Sequence, residues 1–295
     1  TECGEKTNIR ICPTCHEELP YAIGQYDNLV FAVIGAKEAG KSHYIAVLID
    51  KIMNEIGSAF NCSLSAVNDA TIKRYRTDFY DPVFKRNELI RVTRSAKTDS
   101  SVKQPLIYNL TFTEQGMFGG LFKGKRISNV VTVAFFDTAG EDLDSEDTMK
   151  AVNRYIYNSS GIIFLLDPLQ LENVREMLPA GTLLPEQNTE IEDLLSRTAN
   201  LIRKANNVKV DKLIDIPVAV IVNKMDVLED QEDIIQFLKD SGEEKLIRKF
   251  EHNFSNYQFF SCSSLGHSSA GEPYESQGIF EPVEWILGQI NQDMK

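Results

Sequence analysis

The chain has 295 residues, 42% of them hydrophobic, enough for one large core or one core with a small module beside it. Its 31 basic and 43 acidic residues leave a net charge of −12, which argues against a general nucleic-acid surface or binding to anionic lipid, since both need a basic patch. Five irregularly spaced cysteines, Cys3, Cys12, Cys15, Cys62 and Cys262, argue against a disulfide scaffold and for a reducing, cytoplasmic setting.

Residues 1–27 are the one break in composition. Cys12-Pro13-Thr14-Cys15-His16 looks like one knuckle of a zinc ribbon, in which two thiolates on a tight turn grip a tetrahedral Zn²⁺. A closed site needs four ligands, and Cys3, Cys12 and Cys15 with His16 are the candidates; Cys3-Gly4 resembles the end of a second knuckle whose first cysteine would precede Thr1. The alternative is a metal-free arm. No basic-then-apolar leader is expected, and no apolar run approaches the roughly 20 residues of a membrane span.

Residues 28–295 read as one α/β domain. The run Leu29 to Ile34 is a buried strand, followed by Gly35-Ala36-Lys37-Glu38-Ala39-Gly40-Lys41-Ser42. This is the G-x-x-x-x-G-K-[ST] phosphate loop. Glycines at 35 and 40 let consecutive N–H groups point inward at a phosphate chain, and the helix start at Lys41 adds partial positive charge. Lys41 would bridge β- and γ-phosphates, and the Ser42 hydroxyl would take a position on Mg²⁺. The helix runs to about Ile56, with Ile45, Leu48, Ile49, Ile52 and Ile56 on one side. A polar, partly helical insertion at about 57–95 is expected to pack over the nucleotide side. Strands over Leu106 to Thr113 and Asn129 to Phe136 follow, joined by a glycine-rich link at 116–120. Phe118 and Phe122 near it read as a packed hairpin tip before a binding patch.

The second of these strands ends in Asp137-Thr138-Ala139-Gly140-Glu141. A carboxylate at the end of a strand beside a phosphate loop can hold Mg²⁺ through water, and the glycine lets a backbone N–H reach a γ-phosphate. Asp142 to Asp147 is strongly acidic and is expected to form a mobile loop, with a merely solvated charge run as the alternative. Two more apolar strands, Gly161 to Asp167 and Ile216 to Val222, come next, and the second delivers Asn223-Lys224-Met225-Asp226. The last strand, Tyr257 to Phe260, leads into Ser261-Cys262-Ser263-Ser264-Leu265, and an amphipathic helix over about 280–292 closes the chain.

A phosphate loop, Asp-Thr-Ala-Gly and Asn-Lys-x-Asp, in this order at strand ends, resemble the Ras-like P-loop GTPases of the translation-factor (TRAFAC) class over most of the chain. The resemblance implies a three-layer P-loop NTPase fold with a mostly parallel central sheet, one antiparallel strand and flanking helices. It implies that Asp226 accepts from guanine N1 and N2, that Asn223 ties the base loop to the phosphate loop, and that the Lys224 stem lies along the purine. A carboxylate matches guanine's two donors, whereas adenine has no such pair, and each unpaired buried group costs about 1–3 kcal/mol. Ser263-Ser264-Leu265 is the better register for the base-sensing turn, placing the Ser264 N–H on guanine O6; Ser261-Cys262-Ser263 is the other. The long segment after the phosphate loop, Leu165-Leu166-Asp167-Pro168 and the cysteine knuckle look most like bacterial double-GTPase-type domains, which implies an effector or second GTPase as partner.

Three departures bear on hydrolysis. Lys37 and Glu38 stand where many small GTPases have glycines, and an acidic residue there resembles G-protein α subunits, so Arg94 or Arg91 is a candidate internal arginine finger. Glu141 stands where a water-positioning glutamine is common; a carboxylate cannot donate to phosphoryl oxygens and repels them, which implies slow intrinsic hydrolysis. The switch threonine closing over Mg²⁺ is Thr98 by its distance from Leu106, with Thr93 the alternative. The expected activity is Mg²⁺-dependent hydrolysis of GTP to GDP and phosphate by a molecular switch. The alternatives are a scaffold that binds GTP or GDP with little hydrolysis and, disfavoured by Asp226, an ATPase.

Overall fold

A computed structural model describes residues 10–11, 18–19, 27–57, 61–90, 105–118, 122–137, 155–178, 184–185, 191–228, 233–266 and 274–293. In chain order the strands and helices are β1 (Arg10–Ile11), β2 (Glu18–Leu19), β3 (Asp27–Gly35), α1 (Lys41–Lys51), β4 (Cys62–Ala66), α2 (Asp69–Arg74), β5 (Leu106–Phe118), β6 (Phe122–Asp137), β7 (Gly161–Leu166), α3 (Glu172–Met177), α4 (Ile191–Asn206), β8 (Val218–Val222), α5 (Ile234–Asp240), α6 (Glu244–Asn253), β9 (Tyr257–Ser261) and α7 (Glu281–Asp293). Wider π-helical turns extend α1 over Ile52–Ile56 and α2 over Tyr75–Lys85, the latter around Pro82, which has no N–H to donate.

Seven strands form one sheet in the order β4-β5-β6-β3-β7-β8-β9. The pairs β6–β3, β3–β7, β7–β8 and β8–β9 are parallel, while β5 runs antiparallel to both β4 and β6. Strand β3 is therefore central, and its residues divide between two cores as a two-residue period requires. Phe31 and Val33 join α1, β4 and α7 on one face; Ala32 and Ile34 join α3 to α6 on the other. The result is three layers with the sheet in the middle. Both faces being covered explains why β3, β7 and β8 read as unbroken apolar runs.

The described part of the segment expected to pack over the nucleotide side builds the sheet edge with β4 and packs along α1. Its strand β4 alternates buried Cys62 and Leu64 with exposed Ser63 and Ser65. Asn68 caps α2, its Oδ1 accepting from the Thr71 N–H at 2.8 Å, and the Tyr75 hydroxyl donates to the Ala46 carbonyl in α1 at 3.0 Å. The β5–β6 hairpin extends beyond the two expected strands, through the glycine-rich link to a Phe118↔Phe122 pair, with an irregularity between Phe112 and Thr113.

At the N-terminus β1 and β2 form a separate antiparallel pair, Arg10↔Leu19 and Ile11↔Glu18. Cys3, Cys12, Cys15 and His16 lie outside the described residues. Among those described, no group of three or more His, Cys, Asp or Glu could hold a metal ion, and no helix is long and apolar enough to cross a membrane.

Gly161 opens β7 where α7 crosses it. A Cβ there would stand 2.5 Å from Ile286 Cγ2, while one at Gly288 in α7 would meet nothing within 4 Å. Gly161→Ala is expected to cost about 1–3 kcal/mol by overpacking, and Gly288→Ala to gain up to about 1 kcal/mol of helix propensity. Urea denaturation of both variants checks this, and equal effects would contradict the packing argument.

Candidate functional site

The site gathers at the carboxyl ends of β3, β6, β7, β8 and β9. Strand β3 stops at Gly35, and the chain turns through 36–40 before α1 begins. Gly40 caps the helix with φ 89°, and a Cβ on it would lie 2.4 Å from Asn223 Nδ2. Both the backbone angle and the close approach thus demand glycine at this position. Glu38 holds φ 65° with a full side chain, a left-handed conformation that costs an L-residue about 1–2 kcal/mol. Lys37 and Glu38 are exposed, whereas Ala36 and Ala39 are buried. The Lys41 ammonium is buried and donates to the Gly35 and Ala36 carbonyls, both at 2.8 Å, which holds its charge across the loop.

Parallel pairing sets Asp137 at the end of β6 opposite Val33 of β3. From there its buried carboxylate accepts from the Ser42 hydroxyl, whose oxygen lies 2.8 and 3.0 Å from the two carboxylate oxygens. These are two hard oxygen donors beside a helix N-terminus that has no acidic residue in its first turn. Just before Asp137, the Phe136 ring stacks on Tyr155 with centroids 4.0 Å apart, where the described chain resumes after residues 138–154.

Asn223 joins the loops. Its N–H donates to Leu166 O at 2.9 Å, and its Nδ2 donates to Ala39 O at 3.0 Å. Its Oδ1 accepts from the Ser264 N–H at 3.2 Å and hydroxyl at 2.9 Å. Lys224 is left-handed, φ 58° and ψ 30°, and its ammonium meets Asp167 Oδ2 at 2.6 Å. Asp226, in the 3-10 turn Met225–Val227, accepts from the Ser263 hydroxyl, whose oxygen in turn accepts from the Gly266 N–H at 3.1 Å. Behind this turn Ser263 and Gln277 exchange both backbone hydrogen bonds, and the Tyr44 hydroxyl donates to Ile279 O at 2.9 Å.

The structure thus brings the phosphate loop, Asp137, Asn223, Lys224, Asp226, Ser263 and Ser264 together. The Ser264 N–H, read from sequence as a donor to a base, is directed to Asn223 Oδ1, because the amide carbonyl reaches it first in the closed turn. Leu265 packs toward the α1 and α7 core. Cys262, in the other register, is buried, and burial pushes its thiol up to about 12. Thr93, Thr98, Arg91, Arg94, Gly140 and Glu141 lie outside the described residues.

Sequence reading passed over His43, the residue after Ser42, although its place in the first helical turn was a usable signal. Its Nε2 accepts from the Ile90 N–H at 3.0 Å, fastening the end of the edge segment to α1. Burial, and secondarily the charge of Lys224, lowers its pKa from 6.5 to about 4, so the ring is neutral near pH 7.

No family model matches the chain. It is 30% identical over 227 residues to a proposed ESX-1 scaffolding and assembly protein, SaeC, of Mycolicibacterium smegmatis. That match takes in 77% of this chain but 53% of SaeC, so the chain spans about half the length of this relative. Among solved structures it is similar to the Arl6 BBS3 small GTPase of Trypanosoma brucei with bound GppNp, at 12% identity and a TM-score of 0.41 over 90% of this chain and 98% of that one. At that score the likeness decides nothing about function.

The lowered pKa of His43 has a consequence for stability. As pH falls below 6.5 the unfolded chain takes up a proton that the folded chain refuses until about pH 4. The contribution of neutral His43 is whole above that window and is lost across it, on the order of 3 kcal/mol. His43→Gln should flatten the pH dependence of urea unfolding in this range; an unchanged slope would contradict the assignment.

Proposed function

We propose that the chain is a guanine-nucleotide-binding switch of the Ras-like, TRAFAC type that hydrolyses GTP to GDP and phosphate with Mg²⁺. The observation that carries this reading is Asn223, whose one amide holds the phosphate loop at Ala39 and the base turn at Ser264. That linkage sets a polyphosphate site and a base site at a fixed separation. The hydrogen bond from Ser263 to Asp226 supports the Ser263-Ser264-Leu265 register. In this reading Asp226 accepts from guanine N1 and N2, and the Ser264 N–H turns to O6 while the Ser264 hydroxyl keeps its hydrogen bond to Asn223 Oδ1.

The residues present fit a magnesium ion, which commonly takes one or two protein oxygens and completes its shell with water and phosphate. Ser42 and Asp137 would hold it, with Thr98 as a third contributor; when bound, the ion neutralises charge on the β- and γ-phosphates. The Lys41 ammonium and the first amides of α1 would stabilise the same charge. Gly140 gives a backbone N–H to the γ-phosphate, and Glu141 makes a poor water-positioning group.

A second reading is favoured by the scaffolding relative: a module that binds GTP or GDP, barely hydrolyses it and signals its state to a protein partner. That partner is an effector or, by the double-GTPase resemblance, a second GTPase. The two readings share the site and differ in turnover.

Titration with fluorescent GDP, competed by GTP, GDP and ATP, tests the site. Guanine nucleotides should compete and ATP should not; equal competition by ATP would remove the Asp226 assignment. Asp226→Asn should weaken GDP by about 1–3 kcal/mol per unpaired guanine group and improve binding of xanthine nucleotides, whose 2-oxo group accepts from an amide. Phosphate release then separates the two readings. The wild type should turn over slowly and Glu141→Gln faster, with alanine at both Arg91 and Arg94 slowing single-turnover hydrolysis. No phosphate release from any form leaves the scaffold reading, and a Glu141→Gln variant no faster than wild type discards the role given to Glu141.

A further inference from the structure

Asp167 closes the apolar run of β7 with a carboxylate whose side chain is 0% exposed. A charge so placed needs compensation, because an unpaired buried carboxylate is strongly destabilising. Two groups supply it. The Leu169 N–H donates to Oδ1 at 2.9 Å, and the Lys224 ammonium donates to Oδ2 at 2.6 Å. The pairing is prepared by the sheet: Leu166 of β7 pairs with Val222 of β8, so the chain leaves both strands side by side, and the left-handed turn at Lys224 redirects its neighbours. Lys224 remains 29% exposed over its side chain, so part of that side chain stays open despite the ion pair.

We propose that Asp167 is a positioning residue for purine binding: it draws the Lys224 ammonium onto the end of β7 and so presents the methylene stem, not the charge, to the base. This rests on the guanine-nucleotide reading and adds the device that fixes one wall of the base site. A free lysine has many rotamers of similar energy, and binding would have to select one of them. The ion pair makes that selection before the nucleotide arrives. It also removes Lys224 from the cations available to phosphate, leaving that work to Lys41.

The test compares Asp167→Asn, Lys224→Met and the double variant in competition binding of GMP, GDP and GTP against fluorescent GDP. In Asp167→Asn the amide oxygen still accepts from the Leu169 N–H. Each single variant is expected to weaken all three nucleotides by about the same factor, on the order of tenfold, as when a dominant binding-competent rotamer becomes a minor one. The double variant is expected to be no weaker than Lys224→Met alone, since both changes remove one interaction. Wild-type affinity in Lys224→Met, losses that add in the double variant, or a loss that grows with phosphate number would overturn the proposal. If Lys224→Met does not fold, because it strands the Asp167 carboxylate, Asp167→Asn decides alone, because it must show the uniform loss. Wild-type protein that binds no guanine nucleotide overturns the parent reading together with this one; wild-type binding with any contrary variant result removes only this one.

Discussion

The Asn223 amide is the constraint on which the site depends. A buried side-chain amide must place its acceptor and both donors, and a misplaced one leaves costly unpaired groups. Here the carboxamide is 1% exposed, with its nitrogen on Ala39 and its oxygen on Ser264. The demand is reciprocal: Gly40 has no room for a Cβ because the Asn223 nitrogen occupies it. Phosphate loop and base turn therefore form one rigid unit although they come from opposite ends of the sheet-forming sequence.

The sheet makes that unit possible. Parallel strands deliver all their following loops to the same edge, and strand order decides which loops become neighbours. With β3 between β6 and β7, the turn after Gly35 has Asp137 on one side and Asp167 on the other, and β8 adds Asn223 next to Asp167. Ionic work divides accordingly. Asp137 is hydrogen-bonded to Ser42 beside the phosphate loop, while Asp167 is engaged by Lys224 beside the base turn. Two acidic strand ends so similar in sequence reach different roles through the neighbours the topology gives them.

Much of this was legible in the residues. Unbroken apolar runs marked β3, β7 and β8 as strands covered on both faces, and the glycine-bounded loop marked the turn between β3 and α1. What escaped was pairing that has no local signature. Five residues at 62–66 alternate too briefly to announce an edge strand, and their place is fixed by β5, more than forty positions on. His43 and Asp167 were visible as residues, but their roles come from Ile90 and Lys224, partners brought near only by folding. Glu38 is the reverse case. Its sequence position showed a side chain where glycine is common, and only the backbone angle of 65° reveals that it takes the glycine conformation regardless.

The separation of Ala39 from Asn223 also bears on how the molecule is made. The two are 184 positions apart, and β3 gains its neighbours from strands near 131–137 and 161–165. Contacts of such long range are slow to form, because loop closure precedes their reward. On the ribosome the phosphate-loop sequence emerges well before the strand that will hold it exists. Until β6 and β7 are synthesised and docked, β3 lacks both of its sheet neighbours and its apolar residues stay uncovered. The nascent chain is thus at its most aggregation-prone in the interval between the third strand and the seventh.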